Sequence, residues 1–167
     1  MPPSPIDTNL AWLARHAPAL HQRLWQEPSD GHVERWRDGW RLRVGRQVVG
    51  LALPPEAIAR AVRDAPEDAV LFGVGLGELV EALLLDPHRT VTAWDRDPWM
   101  LRRLLSRVDL TPALAAGRLT LLLDEQVVRL QGVGQAVEHP ILAAHYSLER
   151  SWLTAAPDAP RTLVVSP

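Results

Sequence analysis

The residues with the clearest chemical potential lie in one short stretch. Gly73-Val74-Gly75-Leu76-Gly77 closes a continuous apolar run, Ala69 to Val74, and leads into an apolar helical pattern from Glu78. A strand that turns directly into a helix needs glycine where φ is positive or where a ligand approaches the backbone. The helix start then offers free N–H groups. Asp95 falls 18 residues beyond Gly77, at the end of the next strand pattern. A carboxylate there can accept both hydroxyls of a ribose. A dinucleotide fingerprint would place glycine at position 78, where this chain has Glu78. That carboxylate favours the helix dipole but repels a pyrophosphate. An adenosyl ligand without phosphate meets no such penalty. Glycine turns also serve only to pack helix on strand, and that reading stays open.

Other constellations are weaker. His139 precedes Pro140 after the fourth strand pattern; its near-neutral intrinsic pKa makes it a candidate general base, or a loop residue that orients a neighbour. The six histidines show no metal-ligand spacing, and Asp95 and Asp97 are not an obvious magnesium site, so no metal is expected. Arg102, Arg103 and Arg107 read as a solvated helix face over inward Leu101, Leu104 and Leu105. Trp25, Trp36 and Trp40 can stack on sugars or bases, but packing of the front section against the sheet is their expected role. Ser147, Ser151 and Ser166 lack nucleophile-elbow glycines.

Composition excludes several classes. Without cysteine there are no disulfides, thiol nucleophiles or iron–sulfur clusters. All 18 basic residues are arginine, which removes a Walker-type loop and Schiff-base chemistry; the arginine, alanine, leucine and proline usage fits GC-rich coding. A net charge of −2 gives no support for a nucleic-acid or membrane partner. No apolar run is long enough to span a bilayer, and Met1 to Pro5 lacks signal-peptide features. A cytoplasmic protein is expected.

The elements that must position these residues follow from periodicity. Asn9 is placed to cap a helix over Leu10 to Gln26, interrupted at Pro18. Pro28 to Gly31 reads as a loop. A hairpin turning at Gly45-Arg46 sets Leu42 opposite Val49 and Trp40 opposite Leu51. Pro55 opens a helix to about Arg63. Strands follow at Ala69–Val74, Thr90–Trp94, Leu119–Leu123 and Gln135–Glu138, with helices at Glu78–Leu85, Pro98–Val108 and Pro140–Glu149. A break covers Asp109–Leu114, and Thr162–Ser166 forms a last strand pattern. Alternation of this kind predicts an α/β fold: a Rossmann-like, doubly wound, mostly parallel sheet with an N-terminal helix-plus-hairpin cap. The expected division is 1–67 for the cap, 68–160 for the Rossmann unit, and 161–167 as the first strand of a following domain or the strand completing this sheet.

Leu71 to Gly77, followed by Trp94-Asp95-Arg96-Asp97, resembles the first two motifs of class I S-adenosylmethionine-dependent methyltransferases. The resemblance implies S-adenosylmethionine as cofactor, with Gly73, Gly75 and Gly77 near its methionine part, Asp95 at the ribose, Asp124 beside adenine, and Arg96 among the cofactor-binding residues. No Asn-Pro-Pro-Tyr-like acceptor stretch accompanies these motifs. A second resemblance combines the front end, the glycine turn, Asp95-Arg96-Asp97-Pro98, His139-Pro140 and Tyr146. These look like the leading region of bacterial glycosyltransferase-type proteins, including the motility-accessory-factor family. It implies a methyltransferase-like Rossmann module, binding or scaffolding in role, with a C-terminal glycosyltransferase domain of the same protein as partner. A stand-alone methyltransferase and a protein-association module with a vestigial site are the alternatives. For a complete methyltransferase, 167 residues is short.

Overall fold

The computed structural model describes residues 3–26, 32–44, 46–133 and 135–154. Its centre is a four-stranded parallel sheet in the order β6-β5-β4-β7, built from β4 (Asp68–Phe72), β5 (Thr90–Asp95), β6 (Leu119–Leu123) and β7 (Val137–Glu138). The chain runs outward from β4 through β5 to β6, then crosses back to place β7 on β4's other side. The sheet therefore has a topological switch point between β4 and β7.

Alternation along these strands makes two cores. Ala69, Leu71, Val91, Ala93, Leu119 and Leu121 face one layer, with α1 (Pro5–His16), α4 (Glu78–Leu84) and α5 (Pro98–Leu105). Phe72, Trp94 and Leu122 face the other. There they meet a 3₁₀ segment (Asp124–Leu130) together with α7 (Pro140–His145) and α8 (Ser147–Thr154). The remaining elements are α2 (Pro18–Arg23), α3 (Pro55–Asp64), α6 (Thr111–Ala115) and an antiparallel sheet of β1 (His32–Trp36), β2 (Gly39–Val44) and β3 (Gln47–Gly50). Leu42 and Leu51 join the second core.

The doubly wound α/β fold is as the sequence predicts. The hairpin pairs Leu42 with Val49, and the Leu51 N–H donates to the Trp40 carbonyl at 3.0 Å; Gly45 lies outside the described residues. Four expectations need correction. Helix α1 begins at Pro5, capped by Ser4, and Asn9 is fully buried inside it. The Asn9 amide donates to the Leu105 and Val108 carbonyls and accepts from the Leu110 N–H, closing the end of α5 instead of starting its own helix. β1 was not expected, because Glu34 and Arg35 break any apolar alternation. The helix expected over Pro140–Glu149 divides at Tyr146. Finally, Trp25 and Trp36 are exposed rather than packed on the sheet, each beneath a guanidinium (Arg102 at 5.7 Å and Arg41 at 4.7 Å). Only Trp40 turns inward, edge-on to Trp99 at 5.1 Å. Residues 161–167, with the Thr162–Ser166 strand pattern, lie outside the described residues.

Candidate functional site

The glycine turn sits at the switch point, after β4 and beside the end of β7. Gly73, Gly75 and Gly77 have φ of 86°, 60° and 96°, values that side-chain-bearing residues avoid. The Gly73 N–H donates to the Trp94 carbonyl at 2.9 Å, and the Gly77 N–H to the Val74 carbonyl at 3.1 Å. The turn is buried from end to end. The groups that come close to the backbone are the protein's own. A Cβ on Gly73 would lie 2.9 Å from Leu142 Cβ; on Gly75, 2.5 Å from His139 Cδ2 and Nε2; on Gly77, 2.8 Å from Leu104 Cδ1. Glu78, at the start of α4, leaves its Oε2 buried without a hydrogen bond, and burial raises its carboxyl pKa above the ordinary value.

Asp95 stands at the end of β5, as expected, and is wholly buried. Its Oδ2 accepts from the Val74 N–H at 2.7 Å. Its Oδ1 accepts from the Asp97 N–H at 3.0 Å and from the Tyr146 hydroxyl at 2.8 Å. Burial pushes its pKa up to about 7 despite these donors. Tyr146 is edge-on to both Phe72 and Trp94, and burial, with the facing carboxylate, raises its phenol well above the usual value. Sequence reasoning gave Tyr146 no site role; its being the chain's single tyrosine was the available signal.

The remaining candidates are spread around this centre. His139 caps α7, its Nδ1 accepting from the Leu142 N–H at 3.4 Å, and it is fully buried against Gly75. Burial pushes its pKa down to about 4; the Leu51 carbonyl offsets this in part, although Nε2 makes no hydrogen bond of ordinary geometry. Arg96 turns from the glycines to α7 and α8, where it lies over the Tyr146 ring at 4.5 Å, pairs with Glu149 at 3.0 Å and contacts His145. Asp97 caps α5 through the Trp99 N–H. Asp124 has φ 51° and a side chain 56% exposed, 3.6 Å from Arg23. Among the described residues no three His, Asp or Glu groups converge as a metal site.

The structure thus brings together the three glycines, Asp95, His139 and Tyr146, and leaves Arg96 and Asp124 at the margin. Folded this way, the turn and carboxylate do not fit an adenosyl group. The imidazole fills the space over Gly75, and Asp95 spends its acceptors on the chain itself. Two grooves of about 350 and 420 Å³ flank β7 instead, and neither is lined by Gly73–Gly77 or Asp95.

No protein-family model matches this chain, and no curated protein does. Among solved structures it is similar to the MAf glycosyltransferase from Magnetospirillum magneticum AMB-1, with a TM-score of 0.54 and 15% identity. The match covers 89% of this chain and 35% of that one, so the chain spans about a third of its neighbour's length. At this identity the likeness is one of fold: a Rossmann-like parallel sheet, shared with one portion of a glycosyltransferase.

Proposed function

We propose that this chain is a scaffolding Rossmann-like domain of a larger glycosyltransferase-like protein. In it the glycine turn and its acidic partner have become an internal docking site for the β7–α7 segment. One observation carries the reading: His139 and Leu142 occupy the clearance left by Gly75 and Gly73, while Tyr146 takes the Asp95 carboxylate. A turn kept free of Cβ atoms so that another part of the chain can approach does structural work. The likeness to one portion of a glycosyltransferase supports the wider context, and a second Rossmann unit is expected in the reading frame beyond codon 167.

An adenosyl-binding role, with or without methyl transfer, rests on a separate observation. The positive-φ glycines and Asp95 stand at the switch point of the sheet, where ligands bind in open α/β folds. S-adenosylhomocysteine separates the two readings. A ligand at 100 times its dissociation constant adds about 2.7 kcal/mol to stability, which for a chain of this size raises Tm by about 5–10 °C. The scaffolding reading expects no change in Tm at millimolar S-adenosylhomocysteine; a rise of that size would overturn it.

A further inference from the structure

Two arginines meet on a single indole where the β1–β2 hairpin reaches α5. Arg103 of α5 and Arg35 of β1 both lie against Trp40, their guanidinium carbons 4.9 and 5.9 Å from the ring centroid. Trp40 is itself held edge-on by Trp99 at 5.1 Å. Among the described residues no carboxylate forms an ion pair with either arginine. The same hairpin treats its other stacked arginine differently: Arg41 lies on Trp36 at 4.7 Å but is paired with Asp38.

Arg103 is the more confined of the two. Of the five N–H donors of a guanidinium, it gives one to the Ser106 hydroxyl, at 3.4 Å, and its Nε is buried without an acceptor. A buried donor left in this state costs free energy. Burial, and then the charges of Arg107 and Arg35, lower its pKa; Glu78 offsets this only in part. The other carboxylate at hand, Glu81, is taken by Arg107. Two guanidinium charges therefore stand against Glu78 alone, whose own pKa burial raises.

We propose that Arg35 and Arg103 form a binding site for the phosphoryl group of a small soluble ligand. A dianionic phosphoryl group matches two guanidinium charges and offers three acceptor oxygens to their planar donor forks; a carboxylate brings one charge and two oxygens. Bound there, it neutralises a charge from which burial has removed water and relieves the repulsion between Arg35 and Arg103. The Trp40 ring holds both guanidinium groups before the ligand arrives, which lowers the ordering cost of binding. The site draws on neither Asp95 nor His139, so it stands whether or not the glycine turn takes a ligand.

The test is a proton–nitrogen NMR titration of the full 167-residue protein with inorganic phosphate at constant ionic strength. The Arg103 Nε–H and the Trp40 indole N–H should shift saturably. Arg35→Gln and Arg103→Gln, followed at the Trp40 indole, should each weaken binding about tenfold or more, the loss of one charge-assisted contact. Arg41→Gln should leave it unchanged. Arg35 is exposed, so Arg35→Gln decides the matter should Arg103→Gln fail to fold. The absence of a saturable shift would overturn the proposal, as would binding that survives Arg35→Gln. Shifts that sodium chloride reproduces would show screening only and overturn it equally. Shifts given by phosphatidylglycerol vesicles and not by inorganic phosphate would assign the arginines to a membrane surface instead.

Discussion

The glycine turn and the outer edge of β7 meet at His139, yet they are built on opposite terms. At the turn, every clearance is filled: His139 over Gly75, Leu142 over Gly73, Leu104 over Gly77, and three donors on Asp95. At the edge, two residues of strand stand half-buried between two grooves. The place where open α/β sheets bind ligands is thus packed like a core, while the open space has moved one strand over. Packing decides this. Each positive-φ glycine lowers the cost of a close approach, and the nearest segment able to use that approach is the chain's own.

The largest expected effect tests whether the turn is core. Gly75→Ala combines a left-handed backbone with a Cβ 2.5 Å from the His139 ring, a cost of about 2–5 kcal/mol. Gly117→Ala has a similar φ, 68°, with nothing within 4 Å of the added Cβ, so only the backbone cost of about 1–2 kcal/mol applies. Urea denaturation of the two variants reads the difference directly. Combining Gly75→Ala with His139→Ala should bring its added cost down to that of Gly117→Ala. A Gly75 variant no worse than the Gly117 one would show that the turn has room to spare.

Two buried groups at this centre also titrate with opposite sign. Asp95 has its pKa raised from 3.8 to about 7. The folded state therefore holds its proton more tightly, and this group's stabilising effect, complete below pH 3.8, is lost as pH rises toward 7. His139 is lowered from 6.5 to about 4. Its favourable contribution is complete above pH 6.5 and is lost as pH falls toward 4. Between pH 4 and 6.5 the two slopes, each worth a few kcal/mol across the window, oppose one another. Wild-type stability should be nearly flat there. Asp95→Asn should make it rise with pH, and His139→Asn should make it fall. Equal profiles for all three proteins would show that neither group is held as the structure has it.

Much of this was legible in the sequence, for reasons that differ by element. Buried parallel strands are continuous apolar runs, so β4 and β6 announce themselves, and glycine at 73, 75 and 77 marks the turn between β4 and α4. β1 does not, because Val33 stands before Glu34, Arg35 and Trp36 with no apolar alternation. Asn9 looks like a cap because its type favours that role. Its partners, Leu105, Val108 and Leu110, are about a hundred residues away, and only the fold brings them near. The closure of the turn is hidden in the same way. Asp95 and Tyr146 are 51 residues apart, and nothing in the spacing of either tells that a phenol takes the acceptor a ribose would use. The exposed tryptophans reflect a further limit: an indole can keep an edge in water when a guanidinium lies over its face.

Tyr146→Phe is the next effect in size. It removes one donor from a fully buried carboxylate and leaves the ring packing in place, at a cost of about 1–3 kcal/mol. Because the lost bond favours the charged form, the Asp95 pKa should rise further. NMR titration of the carboxyl carbon measures the shift. An unchanged pKa would mean that Tyr146 does not reach Asp95 in solution.

The smallest effect belongs to the edge. Arg150 Nε lies 2.9 Å from both oxygens of Glu138, a contact as short as those on Asp95, but the Arg150 side chain is 55% exposed. Water competes for both groups, and the cost of ordering two long side chains offsets most of the attraction, so the pair adds little to stability. Arg150→Ala should therefore lower stability far less than Tyr146→Phe, and 1 M salt, which shortens the screening length to about 3 Å, should erase even that loss. Contact lengths at the centre and at the edge are alike, so the contrast between Tyr146→Phe and Arg150→Ala isolates burial as the cause. A salt-insensitive loss from Arg150→Ala as large as that from Tyr146→Phe would mean that β7 is sealed on its outer side, with Glu138 shielded from water as Asp95 is.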